Sequence, residues 1–240
     1  MPAWPLSDWT PAQWQALARS PQLWLFIATL LLFSLFPQID IAASSLFRDP
    51  GSGFTVGQLF AVRVLHEGWD IAARTTALVL ALYLLASFIW KGLAPRARRR
   101  AAAFLLLVLL IGPGLIVNTL KDTWGRARPV TVEDLGGVKR FTPALVPSDQ
   151  CPRNCAFTSG HAAFGFWWMA PAFVDRRRRG MWFALGLALG LGIGLVRIAQ
   201  GGHFLSDVLF SGWIVYGTML ALRALILRRP RRRAAPIAAS

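Results

Sequence analysis

Residues Val196 to Phe210 read V-R-I-A-Q-G-G-H-F-L-S-D-V-L-F. The segment closes one long apolar run, opens another, and carries Arg197, His203 and Asp207 between them. Five residues separate Arg197 from His203, and three separate His203 from Asp207. If His203 opens a helix, Asp207 lies one turn on along the same face, with its carboxylate in reach of one imidazole nitrogen. A carboxylate there fixes the tautomer and leaves the other nitrogen with its lone pair outward. Gly201-Gly202 permits a sharp turn and close approach of backbone to a ligand. Arg197 presents a planar fork to an anion over that nitrogen. The spacing predicts a histidine nucleophile facing a phosphate, at a turn between two apolar helices.

The composition around this segment is that of an integral membrane protein. Of 240 residues, 55% are hydrophobic, and the mean hydropathy is +0.48, too apolar for an ordinary soluble domain. A formal charge of +15 raises nucleic acid as a partner, but no nucleic-acid motif accompanies it. The arginines instead form short clusters between apolar runs, at Arg96 to Arg100, Arg176 to Arg179 and Arg228 to Arg233. Such clusters mark cytoplasmic loops. The N-terminus has neither a basic n-region nor a small-residue cleavage site, so no cleavable signal peptide is expected.

The expected fold is all-α, with six transmembrane helices at about 23–41, 71–90, 101–120, 161–174, 181–199 and 204–227. Residues 1–20 form an N-terminal interfacial segment, with a helix opening at Thr10-Pro11 and Trp4, Trp9 and Trp14 at headgroup level. Residues 21–228 form the membrane domain, and 229–240 a basic tail. Asp40 is expected at a water-facing end of the first span. Val56 to Leu65, too short to cross, is expected to lie along the membrane surface. Gly112-Pro113-Gly114 should kink the third span. Gly186, Gly190 and Gly194 offer a small-residue face for close packing. With both termini cytoplasmic, every arginine cluster falls inside, and the loops 42–70 and 121–160 and the Gly201-Gly202 turn fall outside.

That topology brings three motifs to one membrane face. Lys121 to Pro129 reads K-D-T-W-G-R-A-R-P, Thr158 to His161 reads T-S-G-H at a helix start, and Arg197 and His203 lie at the last turn. Free backbone N–H groups at a helix start attract an anion. Together they resemble the signature of the type 2 phosphatidic acid phosphatase superfamily, membrane lipid phosphatases related in fold to vanadate haloperoxidases. That signature is K-x6-R-P, P-S-G-H and S-R-x5-H-x3-D. Here Thr158 replaces the proline and Val196 the serine, both on flanking positions. The resemblance implies a vanadate-haloperoxidase-like helical core, with His203 as nucleophile and Asp207 orienting it. His161 would act as general acid and then base. Lys121, Arg128, Ser159, Gly160 and Arg197 would hold the phosphate oxygens, with no metal or other cofactor. Taken singly, each of these residues also reads as a snorkelling charge or an interfacial histidine. Arg126 is read as a headgroup contact and His66 as structural or lipid-facing. Asn118, Asp122 and Gln200 are candidates for supporting the site.

Cys151 and Cys155 supply too few ligands for a metal, and an outer, oxidising face favours a short-loop disulfide. The stretches around Cys151 to His161 and Gln200 to Asp207 are similar to those of bacterial lipid A phosphatases. This implies a Gram-negative inner membrane, a periplasmic site, and the bilayer and a lipid phosphate as partners. Undecaprenyl diphosphate, phosphatidylglycerol phosphate and lipid-to-lipid phosphotransfer stay open as alternatives. A transporter is the non-enzymatic alternative, but the titrating groups gather at helix ends rather than mid-span.

Overall fold

The computed structural model describes residues 18–90 and 94–227, with residues 15 and 92 besides. The interfacial helix expected near Thr10 and the basic cluster Arg228 to Arg233 lie outside the described residues. Among the described residues the chain is helical, without a β-strand.

Helix α1 (Pro21–Leu35) opens on Ser20, whose Oγ accepts the Leu23 N–H, with Pro21 at the first position. Pro37 interrupts the apolar run, and α2 (Gln38–Ser45) leaves at 87° to α1. The first expected span is therefore bent. Asp40, expected near water, is fully buried.

Helix α3 (Phe60–Ile89) is 30 residues long and absorbs most of the stretch expected to lie on the membrane surface. At 1.5 Å per residue it measures about 45 Å, longer than the roughly 30 Å hydrocarbon layer. Its polar first half therefore projects past the apolar half and carries His66, Trp69 and Asp70 with it. Leu78, Leu82, Leu85 and Phe88 of the apolar half are exposed, as a lipid-facing surface requires.

Helix α4 (Arg96–Leu109) continues through a π-helical segment, Leu110–Val117, into α5 (Asn118–Thr123). The π turn takes up Pro113, which lacks the N–H and crowds an ordinary helical turn. The fourth expected span is instead the eight-residue α6 (Gly160–Trp167) and a 3-10 turn, Ala170–Phe173. Helices α7 (Arg179–Ala199) and α8 (Leu205–Leu222) follow, α8 running on into a π turn to Leu227.

Four helical stretches among the described residues are long and apolar enough to cross a membrane, and the bent α1–α2 pair would make a fifth. The expected count of six is not reached by length, because α6 is too short.

Helix α6 forms the centre of the core. Ala162, Ala163, Phe166 and Trp167 are buried with Phe104 and Val108 of α4 and Val215 and Met219 of α8. The glycine face of α7 makes this packing possible. A Cβ on Gly165 would stand 2.7 Å from the Gly190 backbone, one on Gly186 2.3 Å from the Met169 nitrogen, and one on Gly194 2.3 Å from Val208. These contacts set α6 antiparallel to α7. The arginine-rich starts of α4 and α7 lie at the opposite ends of their helices from Lys121 and Arg197.

Candidate active site

Lys121, Arg128, Gly160, His161, Arg197 and His203 line one cavity of about 480 Å³. Three separate stretches of chain therefore converge, as the sequence led us to expect. Asp207 and Ser159 do not line it.

His203 lies just outside a helix, not in its first turn. Phe204 is extended (φ −83°, ψ 166°) and α8 begins at Leu205. His203 therefore does not open the helix as expected, although Asp207 still comes within 4.0 Å of its ring. His203 Nδ1 lies 2.6 Å from the Ala156 carbonyl oxygen and 4.0 Å from Asp207. An N–H at Nδ1 donates to that carbonyl, and the lone pair is left on Nε2. Burial, reinforced by the Arg197, Lys121 and Arg128 cations, holds this imidazole neutral well below the ordinary histidine range, against the raising effect of the Ala156 bond.

Asp207 instead turns back to accept the Phe204 N–H at 2.7 Å, closing the start of α8. Its other oxygen accepts from Arg126 Nη1 at 2.5 Å. Arg126, read from sequence as a headgroup contact, is fully buried. It donates to Asp40 at 2.8 Å, Ser206 Oγ at 2.9 Å and the Thr142 carbonyl at 2.8 Å. Phe204 lies under its guanidinium, 4.3 Å to the ring centroid. Asp40 also accepts the Ser206 N–H at 2.9 Å. One guanidinium is thus shared by two carboxylates, each of them paired and hydrogen-bonded as buried charges require. The 126–128 loop, α2 and the start of α8 are thereby tied beneath His203.

Arg197 and Arg128 are held by partners of their own. Arg197, in the last turn of α7, donates from Nη1 to Gln200 Oε1, and its buried Nε has no partner among the described residues. Gly202 lets the guanidinium approach, since a Cβ there would stand 2.5 Å from Nη2. Arg128 donates through Nη2 and Nε to the Asn154 carbonyl, at 2.8 and 3.2 Å. Asp122 accepts the Asn154 N–H at 3.1 Å. Cys151 and Cys155 are joined by a disulfide around this turn. Gln200 and Asp122 thus support cavity residues, whereas Asn118 bonds back to the Gly114 carbonyl from the cavity wall.

Ser159 caps α6, its Oγ accepting the Ala162 N–H at 3.4 Å and its own N–H donating to Ser211 at 2.8 Å. It sets the start of α6 rather than facing the cavity. His161, one residue into that helix, stacks on His66 with ring centroids 4.2 Å apart. Its Nε2 lies 3.2 Å from the His66 carbonyl oxygen and 3.6 Å from Asp70 Oδ1. Trp69 donates to the His161 carbonyl at 3.0 Å. His66 is therefore a cavity residue, not a lipid-facing one. Asp70 and Trp69 were missed in the sequence; the signal was their turn-spaced position with His66 on one helix.

Four cations, Arg74, Lys121, Arg128 and Arg197, share a cavity with a neutral histidine and form a site for an anion. Residues 101–233, which hold every predicted site residue, match the PAP2 superfamily. The chain belongs to the PAP2 superfamily. Two relatives are matched over most of its length. It is 37% identical over 203 residues to a lipid A 4'-phosphatase of Francisella tularensis subsp. novicida (strain U112), covering 83% of this chain and 91% of the relative. It is 32% identical over 218 residues to a lipid A 4'-phosphatase of Rhizobium leguminosarum, covering 83% and 93%. No solved structure matches the chain. Asp40, His66 and Asp70 lie outside the segment matched to the PAP2 superfamily, so α2 and α3 complete the site from beyond it.

Proposed function

We propose that the chain is a bacterial membrane lipid phosphatase that removes a phosphate from lipid A, the 4'-phosphate first of all, through a phosphohistidine on His203. The observation that carries the mechanism is the state of His203. Its Nδ1 is committed to Ala156, its ring is held neutral, and Lys121, Arg128 and Arg197 line the cavity it faces. Nε2 attacks phosphorus, the bond from phosphorus to the ester oxygen breaks, and His161 protonates the departing oxygen. His161 then takes a proton from water, which attacks phosphorus and releases inorganic phosphate from His203. Lys121, Arg128, Arg197 and the Gly160 N–H meet the charge that spreads over the oxygens. The unpartnered Nε of Arg197 is a donor for one of them. Ser159 and Asp207 position α6 and the start of α8.

The lipid class rests on the named activity of the relatives and on the cavity itself, which continues from the cations to Ala77, Leu109 and Leu110. Six crossings with both termini in the cytoplasm, and a periplasmic site in an inner membrane, complete the reading. In its support, the 160–174 stretch runs beside α7, Gly165 against Gly190 and Gly186 against Met169. It therefore follows α7 from the cavity end towards Asp175 and the arginines. The bent α1–α2 pair would supply another crossing. Residues 21–228 then form the membrane domain, flanked by 1–20 and a basic tail, 229–240.

The test is phosphate release by the purified full chain, with chelator present, from lipid A, undecaprenyl diphosphate and phosphatidylglycerol phosphate. Release from lipid A that survives EDTA and disappears in His203→Ala is expected. Preference for either other lipid would move the substrate, and activity unchanged in His203→Ala would overturn the phosphohistidine.

A further inference from the structure

We propose that Asp70 of α3 is a positioning residue for His161, fixing which ring nitrogen meets the substrate and supporting the charged imidazolium. The inference rests on the reading of His161 as general acid and base. It starts from the direction of the ring. His161 Nε2 points at α3, with the His66 carbonyl oxygen at 3.2 Å and Asp70 Oδ1 at 3.6 Å. Both neighbours are acceptors only, so the proton of the neutral ring belongs on Nε2. Nδ1, which has no partner among the described residues, then carries the lone pair. It accepts a proton from water and, once protonated, gives one to a leaving oxygen.

The charges around the ring decide why a carboxylate is needed. Arg74 of α3, Lys121 of α5, Arg128 of the following loop and Arg197 of α7 line the same cavity, with His203 on the loop before α8 and His66 stacked on the ring from α3. The side chain of His161 is only 11% exposed. Burial and these cations all oppose a positive imidazolium. Among the described residues Asp70 is the one carboxylate lining the cavity, and its neighbour Glu67 on α3 does not line it. A general acid that must carry a proton at neutral pH, among cations placed for phosphate, requires such a counter-charge. His66 and Asp70 stand four apart on a continuous helix, so α3 delivers the carbonyl, the stacking ring and the carboxylate on one face.

The experiment compares Asp70→Asn and His161→Ala on two substrates in detergent: lipid A, whose sugar oxygen needs a proton to leave, and an alkyl-chain nitrophenyl phosphate, whose phenolate does not. Asp70→Asn is expected to lower kcat on lipid A by about tenfold to a hundredfold with KM unchanged, while the rate of the initial nitrophenolate burst, which needs no proton donor, is little affected. Asp70→Glu should recover part of the loss. The ring nitrogen shifts of His161 in ¹⁵N-histidine protein should report the Nε2–H tautomer in the wild type and a mixture in Asp70→Asn. Unchanged His203 shifts would show that the site is folded. Equal losses in lipid A turnover and in the nitrophenolate burst rate, no loss in either, or an unchanged His161 tautomer would overturn the assignment of Asp70. If His161→Ala itself loses lipid A turnover and the nitrophenolate burst equally, the general-acid reading fails instead. If it discriminates and Asp70→Asn does not, only Asp70 is mistaken.

Discussion

His203 Nδ1 is 2.6 Å from the carbonyl oxygen of Ala156, a residue 47 positions earlier in the chain. The side chain proposed to attack phosphorus is therefore oriented by backbone of the loop before α6. The carboxylate one turn along its own motif stands 4.0 Å away. A carbonyl fixes the tautomer as a carboxylate does, but adds no negative charge that would favour the imidazolium. In a basin of cations this keeps Nε2 unprotonated.

That arrangement sets a pH dependence of stability. The pKa of His203 is lowered in the folded protein from an ordinary value of 6.5. Below that value the unfolded chain takes up a proton that the folded one refuses. The His203 contribution is therefore complete above the unfolded pKa and lost as pH falls from there towards the folded one. Denaturation between pH 7 and 5 should show the wild type losing up to about 1.4 kcal/mol per pH unit more than His203→Gln in that window. Parallel curves for the two proteins would contradict the neutral, buried ring.

Arg126 is expected to be among the least replaceable side chains. It is fully buried between Asp40 and Asp207, and its removal leaves two carboxylates in the interior with no cation. Arg126→Ala should cost about 3–5 kcal/mol. Asp40→Asn should cost less, because Arg126 keeps Asp207. Chemical denaturation in detergent with a fluorescence readout measures both. An Arg126→Ala protein as stable as the wild type would be at odds with this network.

Gly202 should matter for rate more than for folding. A methyl group there would stand 2.5 Å from Arg197 Nη2, and the guanidinium must move away. Displacing a group that meets the transferring phosphoryl by about 1 Å costs on the order of a hundredfold. Gly202→Ala should therefore lose kcat/KM on lipid A to about that extent while its thermal midpoint moves little. Normal kinetics would mean that Arg197 does not touch the phosphate where it now lies.

Much of the site could be read from the chain because its residues stand in short local motifs at helix ends. Lys121, His161 and Arg197 needed only the order of the apolar runs to be brought to one face. The glycine spacing on α7 likewise announced close packing, and Gly165 and Met169 supply it. What was not legible depended on where helices begin. Phe204 is no ordinary N-cap, so the start of α8 after His203 left no mark, and the Asp207 contact was misjudged. The start of α3 at Phe60 hid the shared face of His66 and Asp70. Asp40 and Arg126 meet across 86 residues, and no local pattern predicts such a pair. Crossing lengths misled the count of spans, since α6 packs through the core in eight helical residues.

Reduction of the Cys151–Cys155 disulfide should weaken substrate binding through Arg128. The bridge closes the turn that contains Asn154, and the Asn154 carbonyl receives two N–H groups of the Arg128 guanidinium. Asp122 anchors the same turn from its N–H side, so loss of the bridge loosens the turn without releasing it. Arg128 contacts phosphate before and during transfer, and a contact of that kind acts on KM more than on kcat. Reduced protein, or the Cys151→Ser/Cys155→Ser double variant, should show a raised KM for lipid A with kcat within about twofold. Adding Asp122→Ala to the double variant should raise KM further, because both anchors of Asn154 are then gone. An unchanged KM in the triple variant would show that Arg128 holds its place without Asn154.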